Sequence, residues 1–238
     1  MGSEEADRGI PETPVIFPAI PWLLDGTIYD GYLESCLAHL KAQKCDGVEI
    51  LPPYLSSTIT IEEYSLTSQM KLVTPKLNEL VEASRKTEAT HILFLNADAE
   101  IPSNALHDLL EHNVDVASAV SPPHQSKYWS TVKYWVPPPT PEEMWSTPYF
   151  KNYKMCEVRG RVLRDGPLIG TGHFCMLVRR GVFDGFRFRW NPPKQKIGSE
   201  LTFWMDAQML GYKCVIDGRI LCGHLPEFPL EELVRDEA

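Results

Sequence analysis

The sequence predicts a single α/β domain with a doubly wound, mainly parallel sheet and helices on both faces, and three observations carry that expectation. Short apolar runs alternate with amphipathic, helix-like segments over residues 14–120, the order that builds parallel sheets. One of the runs, His91-Ile-Leu-Phe-Leu95, is an unbroken apolar stretch between polar flanks, as expected of a strand covered on both faces. The 238 residues, 43% hydrophobic and 23% charged, suit one large domain with a real core rather than a disordered or fibrous chain.

The elements follow in order. Residues 1–13 are polar, acidic and punctuated by proline, and read as a loose arm. Val15-Ile-Phe17 reads as a first strand stopped by Pro18, and Leu33, Leu37 and Leu40 then recur at helical spacing. Val48 to Leu51 is a second strand candidate, ended by Pro52-Pro53. The next helix starts with Thr74 as N-cap and Pro75 at the first helical position, with Leu77, Leu80 and Val81 as its apolar face. After the pentad at 91–95, Ser103 caps a helix that turns Leu106, Leu109 and Leu110 inward, and Val114 to Val120 supplies another strand.

At residue 121 the character changes. Seven of the chain's 20 prolines lie between Pro122 and Pro148, mixed with Trp129, Trp135 and Trp145. A long irregular stretch over 121–167 reads as a functional loop, its aromatics arguing against disorder. A strand over His173 to Val178, a helix over Ser199 to Leu210 ended by Gly211, a short strand over Lys213 to Ile216 and an acidic tail over 227–238 complete the chain.

Composition excludes several classes of function. Lys+Arg 23 against Asp+Glu 32 gives 23 − 32 = −9, a balance that opposes non-specific attachment to anionic lipid and weighs against nucleic acid without ruling it out. No stretch is long and apolar enough to span a bilayer, and the acidic N-terminus lacks the basic region and apolar segment of a secretory signal, so a cytoplasmic protein is expected. Six cysteines occur without a Cys-x-x-Cys pair and read as reduced, mostly buried thiols.

Four tracts carry chemistry. Asn96-Ala-Asp98-Ala-Glu100 follows the central strand, where alternation along an extended segment would aim Asn96, Asp98 and Glu100 into the ligand crevice of such a sheet. Oxygen donors of this kind suit Mg²⁺ or Mn²⁺. Glu200, behind Ser199 as N-cap, lies in the first turn of a helix whose dipole favours its ionised form. Cys222-Gly-His224 offers an imidazole near the chain's end, and Gly170-Thr-Gly172-His173 offers backbone that a ligand can approach closely. Taken singly, each has an ordinary structural explanation: a turn, a stabilised helix start, a packed histidine, a tight bend.

Together and in this order the tracts resemble the GT-A nucleotide-sugar glycosyltransferases, particularly the family-two-like group. The Asp-x-Asp motif of that family is matched by Asn96-Ala-Asp98 before Ile101-Pro102. Its Gly-Thr-Gly segment leading to paired arginines is matched by Gly170-Thr-Gly172 before Arg179-Arg180. Its acidic pair is matched by Ser199-Glu200 before Phe203 and Gly211-Tyr212, and its closing histidine by His224 after Asp217. The resemblance covers residues 90–225 well and 14–90 loosely.

It implies a GT-A fold over residues 14–226, with 14–120 as the nucleotide-binding half and 121–226 as the acceptor half. The implied reaction is sugar transfer from a nucleoside diphosphate sugar to an acceptor hydroxyl of unstated class, with a divalent metal, Mn²⁺ or Mg²⁺, as cofactor. Asp98, His224 and Glu100 are the implied metal ligands. Asn96, Asp98, Pro18 and Asn78 are the implied donor contacts, and Glu200 is the catalytic carboxylate. Gly170, Thr171, Gly172 and His173 border the substrates, with Trp129 able to stack on a sugar. Two departures stand out: Asn96 replaces the first acid, and Ser199-Glu200 replaces Glu-Asp. They keep a catalytically degenerate sugar-nucleotide or glycan binding module as an alternative. A sugar-nucleotide nucleotidyltransferase is a further one, disfavoured because no glycine-rich, basic loop follows the first strand.

Overall fold

A computed structural model describes residues 13–21, 27–56, 69–123, 126–136, 150–164, 168–190 and 198–235. Its main sheet has the order β2-β1-β4-β11-β6-β12-β9, with β3 also paired to β1. The strands are β1 (Val15–Ile20), β2 (Glu49–Ile50), β3 (Tyr54–Leu55), β4 (His91–Leu95), β6 (Val116–Val120), β9 (Val162–Leu163), β11 (Cys175–Arg179) and β12 (Cys214–Leu221). β1 runs parallel to β2, β3 and β4, and β6 runs parallel to β12. β11 is antiparallel to both of its neighbours and β9 is antiparallel to β12. The sheet is therefore mainly parallel, with one reversed strand at its centre.

Alternation along the strands splits the interior into two cores. Phe17, Ile92, Phe94, Met176, Val178 and Ile216 face α2 (Gln69–Ser84) and α5 (Ser199–Met209), where they meet Leu77, Leu80, Phe203 and Trp204. Ile16, Ile20, Leu93, Leu95, Ala117, Leu177 and Val215 face α1 (Thr27–Lys41) and α3 (Ala105–Glu111), where they meet Cys36, Leu40, Leu106 and Leu109. This is the helix-sheet-helix sandwich that the continuous apolar strands require.

Several boundaries differ from the sequence expectation. Pro18 does not stop β1 but lies within it, opposite Leu93. The Pro14, Ile16 and Ile20 carbonyls accept from Glu49, Leu51 and Ser56, whereas the Val15 carbonyl accepts from Thr90 on the β4 side. Residue 18 thus turns toward the gap between β2 and β3, which Pro52 and Pro53 occupy. A missing N–H is harmless there because the ladder is already interrupted. Pro75 lies inside α2, which begins at Gln69, so the helix carries it past its first turn and gives up one i→i−4 hydrogen bond there. Asn104, not Ser103, precedes α3, and its side chain makes no capping bond. The 227–238 tail includes a helix, α6 (Leu230–Arg235), which buries Leu233.

The stretch 121–167 is more regular than its prolines suggest. It contains β7 (Trp129–Trp135), β8 (Phe150–Lys154) and α4 (Met155–Val158), and β7 lies between β8 and β10 (Ile169–Gly170) in a second, antiparallel sheet. Trp129-Ser-Thr-Val-Lys-Tyr-Trp135 is made of strand formers, and that local preference prevails over the proline count. Trp145 and the arm over residues 1–12 lie outside the described residues.

Midway along β12 a polar cluster around the buried Asp217 ties the sheet to the end of α3. Asp217 Oδ2 accepts from Arg219 Nη2 at 2.6 Å and from His112 Nε2 at 2.7 Å, and Oδ1 accepts from the Arg219 N–H at 2.9 Å. Arg164 donates to Nδ1 of His112 at 2.8 Å, and since a guanidinium only donates, the imidazole is the neutral Nε2–H tautomer. Burial pushes the Asp217 pKa up, but the bonds from Arg219 and His112 outweigh it and hold the carboxyl below its ordinary value.

Candidate active site

A third, two-stranded ladder builds the site. After β4 the chain does not stay extended: Asn96 to Asp98 form a turn, with the Ala99 N–H bonded to the Asn96 carbonyl at 3.1 Å. β5 (Ala99–Glu100) then pairs antiparallel with β13 (Gly223–His224), placing Ala99 opposite His224. The Leu225 N–H bonds to the Asp98 carbonyl at 3.0 Å. This ladder brings Asp98 and His224 together at the carboxyl end of the central strands, with His224 Nε2 3.4 Å from Asp98 Oδ2.

The ring of His224 is fixed. Nδ1 lies 2.7 Å from the Pro122 carbonyl, just past β6, and can only donate there. In the neutral ring Nε2 is therefore an unprotonated acceptor. Phe174 holds the ring edge-on, centroids 4.5 Å apart. A lone pair facing a carboxylate oxygen is an arrangement that a shared cation or a proton resolves. A backbone-anchored Nδ1–H is also how metal-binding histidines are commonly oriented. The donor set of one carboxylate and one imidazole fits Mn²⁺ or Mg²⁺.

Glu100 is not part of this pair, which corrects the alternation argument. The turn at 96–98 breaks the extended geometry on which that argument depends. Glu100 Oε1 accepts from Ser35 on α1 at 3.1 Å and Oε2 accepts the Leu230 N–H of α6 at 2.9 Å. A side chain at Gly223 would collide with Leu230 and crowd Glu100, so this glycine makes the cap possible. The described His, Asp and Glu atoms that lie close enough together to share an ion as a group of three are those of His107, Asp108 and Glu111, at the surface of α3. That cluster has no second feature pointing to a ligand.

Glu200 enters from the opposite side. The helix α5 starts one residue earlier than expected: Gly198 is its N-cap and Ser199, fully buried, is its first residue. A Cβ at Gly198 would overlap both carboxylate oxygens of Glu200, so the carboxylate lies directly over this glycine. Among the described residues Glu200 Oε2, Ser199 Oγ, His173 Nδ1 and Trp204 Nε1 are buried without a hydrogen-bond partner. Burial lowers the His173 pKa below its ordinary 6.5, against the pull of the Glu200 and Asp98 carboxylates, so the ring stands neutral near pH 7.

The remaining predicted residues separate into two groups. Gly172 has open space around it and, with Glu200, Trp129, Thr131 and Lys133, lines a cavity of about 770 Å³ between β7–β8 and α5. Thr171 is buried and donates to Thr131 Oγ1 at 3.1 Å, and Thr131 in turn donates to the Ser121 carbonyl at 3.1 Å. Gly170, by contrast, is a packing glycine: a Cβ there would lie 3.0 Å from both Leu201 and Trp204 of α5. Asn78 is spent on structure, its amide donating to the Phe188 carbonyl at 2.9 Å and accepting the Phe188 N–H at 3.1 Å. Pro18 lies inside the sheet. Asn96 has a half-buried side chain for which no hydrogen bond is formed among the described residues.

The thiols behind the site are inert. All six cysteines are free. Cys36 donates to the Asn96 carbonyl at 3.5 Å, and burial drives its pKa to about 12. Cys222, fully buried, is raised by its bond to Cys175 and by burial. Neutral sulfur therefore backs Asp98.

Sequence reasoning missed the Pro122 carbonyl, the hydroxyl chain through Thr131 and the role of Gly198. None has a motif, although the proline at the carboxyl end of a predicted strand marked the place.

No family model matches the chain, and no curated protein matches it. Among solved structures it is similar to A197 from STIV, with TM-score 0.47 and 10% identity over 90% of this chain and 86% of that one. It is also similar to residues 1–349 of TarS from S. aureus, with TM-score 0.42 and 12% identity over 85% of this chain and 59% of that one. The same fragment in complex with UDP-GlcNAc gives TM-score 0.42 and 13% identity over 88% and 58%. The chain thus spans less than two thirds of the TarS fragment. Among the described residues no helix is long and apolar enough to cross a membrane.

Proposed function

We propose that the protein is a metal-dependent glycosyltransferase of the GT-A type, moving a sugar from a nucleoside diphosphate sugar to an acceptor hydroxyl. The observation that carries this reading is the Asp98–His224 pair, with the imidazole anchored so that Nε2 faces the carboxylate. Asp98 and His224 would hold a divalent cation, which supplies Lewis-acid stabilisation of the charge that builds on the departing diphosphate. Asn96, with its uncommitted amide, hydrogen-bonds the donor. His173, neutral and with a buried unpartnered nitrogen, orients the donor sugar or the incoming hydroxyl.

Glu200 acts as general base. Its carboxylate lies in the first turn of α5 and borders the cavity that an acceptor would fill. Gly198 is its positioning residue. Gly198→Ala is expected to leave the protein folded while displacing the carboxylate, lowering kcat by about 10²-fold as misplacement of a reacting group does. Steady-state kinetics beside a thermal melt check this.

The test of the whole reading is a thermal-shift panel of uridine, guanosine, cytidine and thymidine diphosphates and their sugars, with and without Mn²⁺. A ligand at about a hundredfold its Kd adds roughly 2.7 kcal/mol, a rise of about 5–10 °C for a domain of this size. One nucleotide is expected to shift the wild type only with Mn²⁺, and Asp98→Ala is expected to lose that shift. A flat panel with folded protein rejects the reading. A metal-dependent shift with no turnover on any acceptor would instead favour the degenerate binding module suggested by Asn96 and Ser199.

A further inference from the structure

We infer that the acceptor carries a phosphate ester, held by Lys133, Lys151 and Lys154 on the β7–β8 wall of the cavity that Glu200 borders. This inference rests on the transferase reading for the role of Glu200, and on the cavity itself for the rest.

The protein carries a net charge of −9, yet this wall gathers three lysines. Glu157, the acid beside them, has a carboxylate oxygen committed to the backbone N–H of Lys154 at 2.6 Å. Among the described residues none of the three ammonium groups is in an ion pair. Lysines left unpaired around a concave surface raise the local concentration of anions against the field of the whole protein.

The register of the second sheet directs Lys133 and Lys154, whereas Lys151, opposite Tyr134, starts from the other face of β8 and borders the cavity at its edge. Lys133 pairs with Gly170 across β7 and β10, and directly opposed residues of an antiparallel pair project to the same face. That face, at Gly170, is the one α5 covers, since a Cβ there would touch Leu201 and Trp204. The half-buried Lys133 therefore leaves the sheet on the side from which Glu200 enters. Asn152, opposite Lys133, and the pair Trp129–Lys154 continue the wall. The cavity is then bounded by a proton acceptor on one side, cations on the other and an aromatic ring, 42% exposed, beside them. A hydroxyl near Glu200 with a phosphate a few ångströms away satisfies all three. The donor diphosphate has its own place, across the site at Asp98 and His224.

Tryptophan fluorescence titration tests this with glycerol 3-phosphate against glycerol, glucose 6-phosphate against glucose, and a ten-residue oligothymidylate. The proteins are the wild type, Lys151→Ala/Lys154→Ala and the triple variant that adds Lys133→Ala, each shown folded by its melt. The wild type is expected to prefer at least one phosphorylated probe over its uncharged counterpart by tenfold or more. The double variant should lose several-fold of that preference and the triple variant nearly all of it, while nucleoside diphosphate binding with Mn²⁺ is unchanged. Binding of the small esters identifies a phosphorylated metabolite as the source, and binding of the oligothymidylate alone identifies a nucleic-acid strand. Equal binding of charged and uncharged probes, with no oligothymidylate binding, overturns the proposal. So does a triple variant that loses the nucleoside diphosphate, which would assign the lysines to the donor. A phosphate preference beside a flat nucleotide panel would reject the transferase reading and leave the anion site standing.

Discussion

Replacing Glu200 with glutamine is expected to lower sugar transfer by about 10²- to 10⁴-fold, the range for loss of a general base, and to leave the metal-dependent nucleotide shift in place. The amide has the size of the carboxylate and stays over Gly198, so packing at the start of α5 is preserved. What disappears is the ability to take a proton from the acceptor hydroxyl. The separation from the metal pair makes this informative: Asp98→Ala removes binding, whereas Glu200→Gln removes chemistry from a complex that still forms. Comparing kcat with the donor-induced melting shift on the same preparation reads both effects. A fully active Glu200→Gln protein would remove this residue from the mechanism.

Asp217→Ala carries the largest expected effect on stability. The carboxylate is fully buried and accepts from Arg219 and His112, and Arg164 secures the other side of the imidazole. Its removal leaves His112 with a buried N–H and no acceptor, and Arg219 with no counter-ion. Truncating one partner of such a cluster costs about 3 kcal/mol, a fall in Tm of roughly 6–12 °C for a domain of this size. The pH dependence is the second signature. The Asp217 carboxyl is held below its ordinary 3.8 in the folded protein, so its contribution is complete above that value and drains away as the pH falls through the folded pKa. The gap in Tm between wild type and variant should therefore be widest near neutrality and narrow below about pH 4. A constant gap down to pH 2 would mean that packing, not charge, is what Asp217 supplies.

The parts of this molecule legible in its residues are those decided locally. His91–Leu95 is predicted and found with the same ends, because four successive apolar residues buried on two faces leave no other placement. The α5 face and its Gly211 terminus are equally clear: Gly211 has φ +83 and the Tyr212 N–H returns to the Ala207 carbonyl. Elements set by long-range partners were not. Pro18 looks like a strand end until the gap opposite it is known, and the prolines around β7 and β8 mask a sheet whose pairing runs as far as Lys133 to Gly170. Of the candidate site, Asp98 and His224 face one another, while Gly172 and Glu200 line one cavity. Glu100, Gly170, Asn78 and Pro18 are taken up by capping, helix packing, backbone clamping and the sheet interior. No single-chain pattern separates a carboxylate that caps α6 from one that faces a ligand, since the N–H it serves is 130 residues on.

The reversed strand β11 also bears on how the chain can be divided. It is residues 175–179 that join β4 to β6, so a fragment ending after β6 has strands on either side of an absent neighbour and no continuous sheet. The stretch from 14 to 120 is thus a half in sequence only, not a unit that can be excised. During synthesis its exposed strand edges must wait for more than fifty further residues to leave the ribosome before the sheet can close. The same closure sets the candidate active site, because Phe174, which steadies His224, and His173 enter on the lead-in to that strand. Glu200 and His224 follow β11 in the chain, so the site is completed only after the centre of the sheet can close.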